Sequence, residues 1–360
     1  MWQEALLWTA VSVAALIAFW FFSVFLTAGV VFARLYGRTE HRYSRRALFA
    51  DFPDIKVERE MIVCGRKKRL AAYLLTDGRA QCKGLVIISH GIRDRGEGYF
   101  TEARAFLALG YQVLLYDAVG SGNSTGKSQR GLPQSAIDLN DVLIWAEREP
   151  RFQSLDFYLY GHSWGGYAVC AVFYYGAHER VKAVCSLSGF NDPSRMVLES
   201  GSVLSEGLGR FVYPPVYVLQ FLRFGRGAHR TAVHGMEKAR DVRFLILHAE
   251  HDETVHAEGA GIYAKRKLFD GEDRVRFALV KGRGHLNAWL TEECREKNDE
   301  LDRAYTAVVG KFGFSMTEKQ EARFYANIGR KERVALSVPD MNFFLTIDRF
   351  YREGVCPSTI

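Results

Sequence analysis

From Leu85 to Leu187 the chain alternates short apolar runs with stretches of helical character, and this alternation constrains the fold more than any other feature. The runs Leu85–Ser89, Gln112–Tyr116, Asp156–Tyr160 and Val181–Leu187 have strand length and read as buried strands. Between them, Tyr99–Leu109, Ser135–Arg148 and Tyr167–Tyr175 read as helices. Strands joined through helices of this length require right-handed crossovers, and therefore a parallel sheet. The pattern returns with strands Val242–His248 and Val275–Val280, separated by a helix over Glu258–Phe269 and followed by a long helical segment, Asn287–Phe312. Ahead of it, Ile55–Val63 and Arg69–Leu75 flank the turn-like Cys64-Gly65-Arg66-Lys67 and predict an antiparallel hairpin. The class is α/β, with a mostly parallel central sheet flanked by helices.

Between Gly189 and Asp241 the alternation stops. The run from Phe211 to Leu222 is too apolar for a simple loop, and Pro214 and Pro215 are expected to break it. It predicts a helical cap inserted over the sheet at about residues 190–241 of a domain spanning residues 55–312. Residues 313–360 form an extension of mixed character, with a helix near Thr317–Asn327 and no assigned role.

Ala5–Ala33 contains no charged side chain. As a helix it would be about 43 Å long, more than the ~30 Å hydrocarbon core requires. Glu4, the lack of Lys or Arg before the run, and the length of the run speak against a cleaved signal peptide. The expectation is a single-pass membrane anchor over residues 1–34, followed by a basic juxtamembrane linker over residues 35–54. Arg34, Arg38, Arg42, Arg45 and Arg46 are opposed over that flank by Glu40 alone, which predicts that everything after the helix is cytoplasmic. The same arginines could meet anionic headgroups of membrane lipids or act only as a stop-transfer flank.

Much of the net charge of +7 comes from this flank, and no basic stripe interleaved with aromatics points to nucleic acid. The six cysteines form no C-x-x-C pair, which suits free thiols in a reducing compartment. Cys356-Pro-Ser-Thr-Ile leaves one residue too many for a prenylation box.

Chemistry enters at Gly161-His162-Ser163-Trp164-Gly165, directly after an apolar run and before a helix. This is the form of a nucleophile elbow, in which flanking glycines let a serine stand exposed on a sharp turn. A serine hydroxyl needs a base to take its proton and an anion to orient that base. Asp252 lies in a polar turn after the strand Val242–His248, where Glu250 and Glu253 are rival acids. His285 ends the glycine-rich turn after Val275–Val280. His248, His251 and His256 near Asp252 lack the spacing of a metal site, and no cofactor is called for. The rings of His90 and His162 are expected to be structural, and Cys170 and Cys185 have no place in the site.

With these residues in their order, the chain resembles the α/β-hydrolases over roughly Ile55 to Phe312. The resemblance implies Ser163 as nucleophile, Asp252 as acid and His285 as general base. It implies that His90-Gly91-Ile92 is the oxyanion loop, with the backbone N–H groups of Ile92 and Trp164 facing the oxyanion. Asp117-Ala118-Val119-Gly120-Ser121-Gly122-Asn123-Ser124 resembles the D-x-R-G-x-G-x-S turn of the esterase, monoacylglycerol-lipase-like and lysophospholipase-like branches, with Val119 where arginine is usual. The expected activity is that of a membrane-anchored serine hydrolase of lipid-like acyl esters. Tyr217, Phe221, Leu222 and Phe224 of the cap are candidates for the acyl path. A thioesterase or acyltransferase with the same triad, or a silent fold used as a scaffold, are the alternatives.

Overall fold

The structure, a computed structural model, describes residues 1–39, 45–79, 81–204, 209–312 and 318–357. The chain opens with α1 (Trp2–Leu35) and then the hairpin β1 (Lys56–Cys64) and β2 (Lys68–Thr76). The alternating region comes next as β3 (Leu85–Ser89), α2 (Phe100–Ala108), β4 (Gln112–Tyr116), α3 (Gln134–Arg148), β5 (Phe157–His162), α4 (Trp164–Ala171) and β6 (Val181–Leu187). The insertion carries α5 (Pro193–Leu204), α6 (Gly209–Phe224) and α7 (Ala232–Lys238). The chain then runs through β7 (Arg243–Ala249), β8 (Val275–Val280), α8 (Glu292–Phe312), α9 (Glu318–Tyr325), α10 (Arg330–Ala335) and α11 (Met341–Glu353).

The eight strands form one sheet in the order β1-β2-β4-β3-β5-β6-β7-β8. The hairpin joins antiparallel through β2 and β4, whereas β4-β3-β5-β6-β7-β8 is parallel throughout. Both faces are covered, so the central strands β3 and β5 are buried along their whole length. A parallel sheet gathers the loops beyond its strand ends on one rim, and the site is built there.

Three expectations change. Pro214 and Pro215 do not break the cap run, because α6 continues through them. Packing of Tyr213 and Val216 with Ala28 and Phe32 of α1 in one buried cluster supports the helix where the prolines withhold backbone donors. The segment expected as a helix over Glu258–Phe269 is a 3-10 helix over Ile262–Phe269. The extension after residue 312 is partly core. In α11, Phe343, Phe344, Ile347, Phe350 and Tyr351 are buried in the cluster that includes Phe106, Tyr111 and Tyr158, and the Tyr351 hydroxyl donates to the Leu159 carbonyl at 2.7 Å. Asp348 on the same helix accepts from Lys83 at 2.9 Å and from the Tyr111 hydroxyl at 2.7 Å.

Among the described residues α1 is the one helix long and apolar enough to cross a membrane. Residues 2–22 are exposed throughout, about 31 Å of helix against a ~30 Å hydrocarbon core. Its last turns dock on the domain, with Ala28 and Phe32 buried and the Arg223 guanidinium 5.1 Å from the Phe32 ring centre. Three arginines of the basic flank have partners within the protein. Arg38 donates to carbonyls of the loop 117–126, Arg45 pairs with Asp302, and Arg46 pairs with Asp94 at 2.9 Å. Arg42 lies outside the described residues.

Candidate active site

β5 ends at His162 and α4 begins at Trp164, so Ser163 alone makes the turn between them. Its backbone sits at φ 56°, ψ −114°, a conformation that costs a non-glycine residue about 1–3 kcal/mol and persists only where its surroundings enforce it. Enforcement comes from the Ser163 N–H, which donates to the Leu187 carbonyl at 2.9 Å, and from the Tyr167 N–H, which donates to the Ser163 carbonyl at 3.0 Å. The two glycines are required sterically. A Cβ on Gly161 would lie 2.2 Å from the Gly165 carbonyl oxygen, and one on Gly165 would lie 1.9 Å from that of Ser89.

His285 stands between the serine and Asp252. Its Nε2 is 3.0 Å from Ser163 Oγ and its Nδ1 is 2.7 Å from Asp252 Oδ2. The second carboxylate oxygen, Oδ1, accepts from the N–H groups of Thr254 at 2.9 Å and Val255 at 2.8 Å. Burial alone would raise the Asp252 pKa. The hydrogen bond and charge of His285, helped by the Val255 N–H and by His248, outweigh burial and bring it down to about 2. The rival acids Glu250 and Glu253 are exposed, and Glu250 caps the Gly282 N–H at 2.9 Å.

The two amides expected to face the oxyanion come from Ile92, in the loop after β3, and Trp164, at the start of α4. Neither the Ile92 N–H nor the Trp164 N–H donates a hydrogen bond among the described residues. Trp164 is the first residue of α4, so its N–H belongs to the unpaired amides at a helix start. Its indole is tied back by a 2.7 Å bond to the Leu132 carbonyl. His90 Nδ1 contacts the Gly91 carbonyl at 2.7 Å, while His90 Nε2 accepts from the Ala118 N–H at 2.9 Å.

A buried relay joins the rim loops through His162, whose ring has a structural role and also touches the site. The Gly91 N–H donates to the Tyr99 hydroxyl at 2.9 Å, Tyr99 lies 2.7 Å from His162 Nδ1, and His162 Nε2 is 2.8 Å from the His285 carbonyl. A carbonyl can only accept, so Nε2 carries the proton and Nδ1 accepts from Tyr99. Burial, and after it the neighbouring His285, holds the His162 imidazole well below the usual histidine range, in keeping with that neutral form. The only sequence signal for the relay is the position of His162 beside the serine.

The Tyr217 hydroxyl pairs with His229 at 3.1 Å, Phe221 lies against the His229 ring at 5.8 Å, and Leu222 is 74% exposed. Phe224 faces Gly131, where an added Cβ would be 2.9 Å from its ring. No cluster of three His, Cys, Asp or Glu side chains able to hold a metal occurs among the described residues.

A family model described as "Serine aminopeptidase, S33" matches residues 80–222, which includes the elbow. None of the curated proteins matches the chain. An esterase of Pyrococcus furiosus superposes with a TM-score of 0.53 at 14% identity, over 77% of this chain and 98% of its own. That near-complete coverage, with the sheet order above and the serine at the turn after β5, decides the fold. The chain has the α/β-hydrolase fold. Est1E of Butyrivibrio proteoclasticus, solved with ferulic acid, is 22% identical over 63% of this chain and 90% of its own, with a TM-score of 0.45. The family match over residues 80–222 is to a family of serine hydrolases.

Proposed function

We propose that this α/β-hydrolase is a membrane-anchored serine hydrolase that cleaves carboxylic esters with lipid-like acyl chains, of the monoacylglycerol or lysophospholipid kind. The observation that carries the reading is His285 standing 3.0 Å from Ser163 Oγ and 2.7 Å from Asp252. Ser163 attacks the ester carbonyl while His285 Nε2 takes its proton. Asp252, ionised and held by two backbone donors, keeps the His285 proton on Nδ1 and supports the imidazolium that forms. The N–H groups of Ile92 and Trp164 stabilise the tetrahedral oxyanion. His285 then returns the proton to the leaving alkoxide, and water resolves the acyl-enzyme by the same steps in reverse order.

The lipid preference rests on the docking of α1 against α6. A helix of spanning length brings the cap to the bilayer face, and Phe221 and Leu222 of α6 are exposed there at 41% and 74%. The arginines after α1 and the free thiols support a domain on the cytoplasmic side. A fluorophosphonate probe should label the wild-type protein and not Ser163→Ala; equal labelling of the two would overturn the enzymatic reading. A panel of monoacylglycerols, lysophospholipids and short water-soluble esters tests the substrate class, and a preference for the short esters in the membrane-bound enzyme would overturn the lipid part. Protease digestion of sealed cytosol-side-out vesicles tests the sidedness, which protection of residues 55–312 would refute.

A further inference from the structure

We propose that the segment Tyr36–Thr39, where the chain leaves the membrane helix, is a strap that positions the oxyanion loop, with Arg38 and Gln129 as its positioning residues. The inference rests on the serine-hydrolase reading above and adds a structural dependence of catalysis on the anchor exit.

The Ile92 N–H lies between two pinned amides. On one side the Gly91 N–H is held by the Tyr99 hydroxyl at 2.9 Å, and on the other the Arg93 N–H is held by Gln129 Oε1 at 3.1 Å. Arg93 has φ 59°, a left-handed conformation that needs such support in a residue with a side chain. Gln129 is fully buried, and its side-chain amide is used at both ends because Nε2 donates to Ser121 Oγ at 2.7 Å. The loop that carries Gln129 braces the oxyanion loop at a further point, where Asp117 Oδ1 accepts from the Gly96 N–H at 2.8 Å.

The other side of this loop is knitted to the strap. The Gln129 N–H donates to the Tyr36 carbonyl at 2.7 Å, the Thr39 N–H to the Gly120 carbonyl at 3.0 Å, and the Gly122 N–H to the Thr39 carbonyl at 3.2 Å. The Arg38 guanidinium then donates to three carbonyls of the same loop, those of Gly122 at 2.6 Å, Ser124 at 3.0 Å and Gly126 at 2.8 Å. Positive φ angles at Gly120, Gly122 and Gly126 shape the turn that presents them. A planar fork suits several acceptors at once, which a lysine ammonium cannot match in the same geometry. Arg38 therefore brings a guanidinium from outside to the turn in which Val119 stands at the usual arginine position.

The test uses full-length protein in detergent micelles, with Arg38→Ala, Arg38→Lys, Gln129→Met and Gln129→Glu. Glutamate keeps an acceptor for the Arg93 N–H, whereas methionine keeps the volume and removes it. For each folded variant, kcat per titratable Ser163, KM for a soluble ester, and inhibition by an aryl trifluoromethyl ketone are measured. The ketone adds Ser163 Oγ to its carbonyl and leaves an oxyanion in the hole, so it reads the hole directly. Arg38→Ala and Gln129→Met should lose about 10- to 100-fold in kcat, since small misplacements at a reacting centre cost on that order. Ketone binding should weaken by the same factor with KM within about threefold. Gln129→Glu should recover most of the loss and Arg38→Lys part of it. Folded variants with lowered melting temperatures but wild-type kcat and ketone affinity would reduce the strap to a structural element and overturn the proposal. If Arg38→Ala or Gln129→Met does not fold, Arg38→Lys decides, and its equality with wild type in both readouts overturns the proposal. Failure of wild type to react with a fluorophosphonate sinks the serine-hydrolase reading instead, which keeps the two failures distinct.

Discussion

Asp252→Asn tests the site most sharply, because the structure dictates how the amide must sit. The Thr254 and Val255 N–H groups, at 2.9 and 2.8 Å from Oδ1, require an acceptor in that place. The asparagine oxygen therefore stays there and its NH2 turns toward His285 Nδ1. That NH2 donates, which forces the His285 proton onto Nε2, the atom 3.0 Å from Ser163 Oγ. The histidine can then no longer accept the serine proton, and kcat should fall by about 10³- to 10⁴-fold with KM little changed. Stability changes by a smaller and separable amount. The Asp252 pKa is lowered from 3.8 to about 2 on folding, a contribution of about 2 kcal/mol. A depressed carboxylate pKa stabilises fully above its unfolded value and loses the effect as pH falls through its folded value. The gap between wild type and Asp252→Asn should thus be present at pH 7 and close between about pH 4 and pH 2. Ester hydrolysis gives the first quantity and urea unfolding across pH gives the second. An Asp252→Asn enzyme that keeps a tenth or more of wild-type kcat would refute the assignment and return attention to Glu250 and Glu253.

Four further outcomes are expected. Gly165→Ala places a Cβ 1.9 Å from the Ser89 oxygen, so it should cost about 3 kcal/mol or more in urea unfolding and abolish fluorophosphonate labelling in whatever remains folded. Glu102 is fully buried with no hydrogen-bond partner on either carboxyl oxygen among the described residues, and burial, only partly opposed by Arg46, raises its pKa to about 8. Its favourable proton uptake is complete below pH 4.5 and lost as pH rises to 8, so Glu102→Gln should stabilise the protein by on the order of 3 kcal/mol at pH 7 and by little at pH 4, seen in melting curves at the two pH values. Tyr99→Phe leaves the Gly91 N–H and His162 Nδ1 without partners and should cost about 2 kcal/mol in urea unfolding. His162→Gln, which can both accept from Tyr99 and donate to the His285 carbonyl, should cost less.

The parallel sheet was legible because most of its strands are buried on both faces and so appear as short, nearly continuous apolar runs. Leu85–Ser89, Gln112–Tyr116, Val181–Leu187 and Val275–Val280 have the same limits in sequence and structure. The continuity of α6 was not legible, since its continuation past Pro214 and Pro215 depends on α1, a segment far away in sequence. The core role of α11 was available in the spacing of Phe343, Phe344, Ile347, Phe350 and Tyr351, but its contact surface is created only when β5, β6 and α2 have come together.

By itself the sequence determined the alternation that demands a parallel sheet, the glycine spacing that allows Ser163 its turn, and a charge-free run long enough to span a bilayer. Those are local properties, set by side-chain volume, backbone freedom and hydropathy along a few consecutive residues. Tertiary structure alone decided which partners meet. It set His285 between Ser163 and Asp252 across separations of 122 and 33 residues, joined Tyr99 to His162, and turned Arg38 from the membrane flank into the loop beside the oxyanion residues. Hydrogen bonds are made at about 3 Å whatever the distance along the chain, so a resemblance could name the three triad candidates, but the contacts of Tyr99, His162 and Arg38 emerged only from the folded sheet.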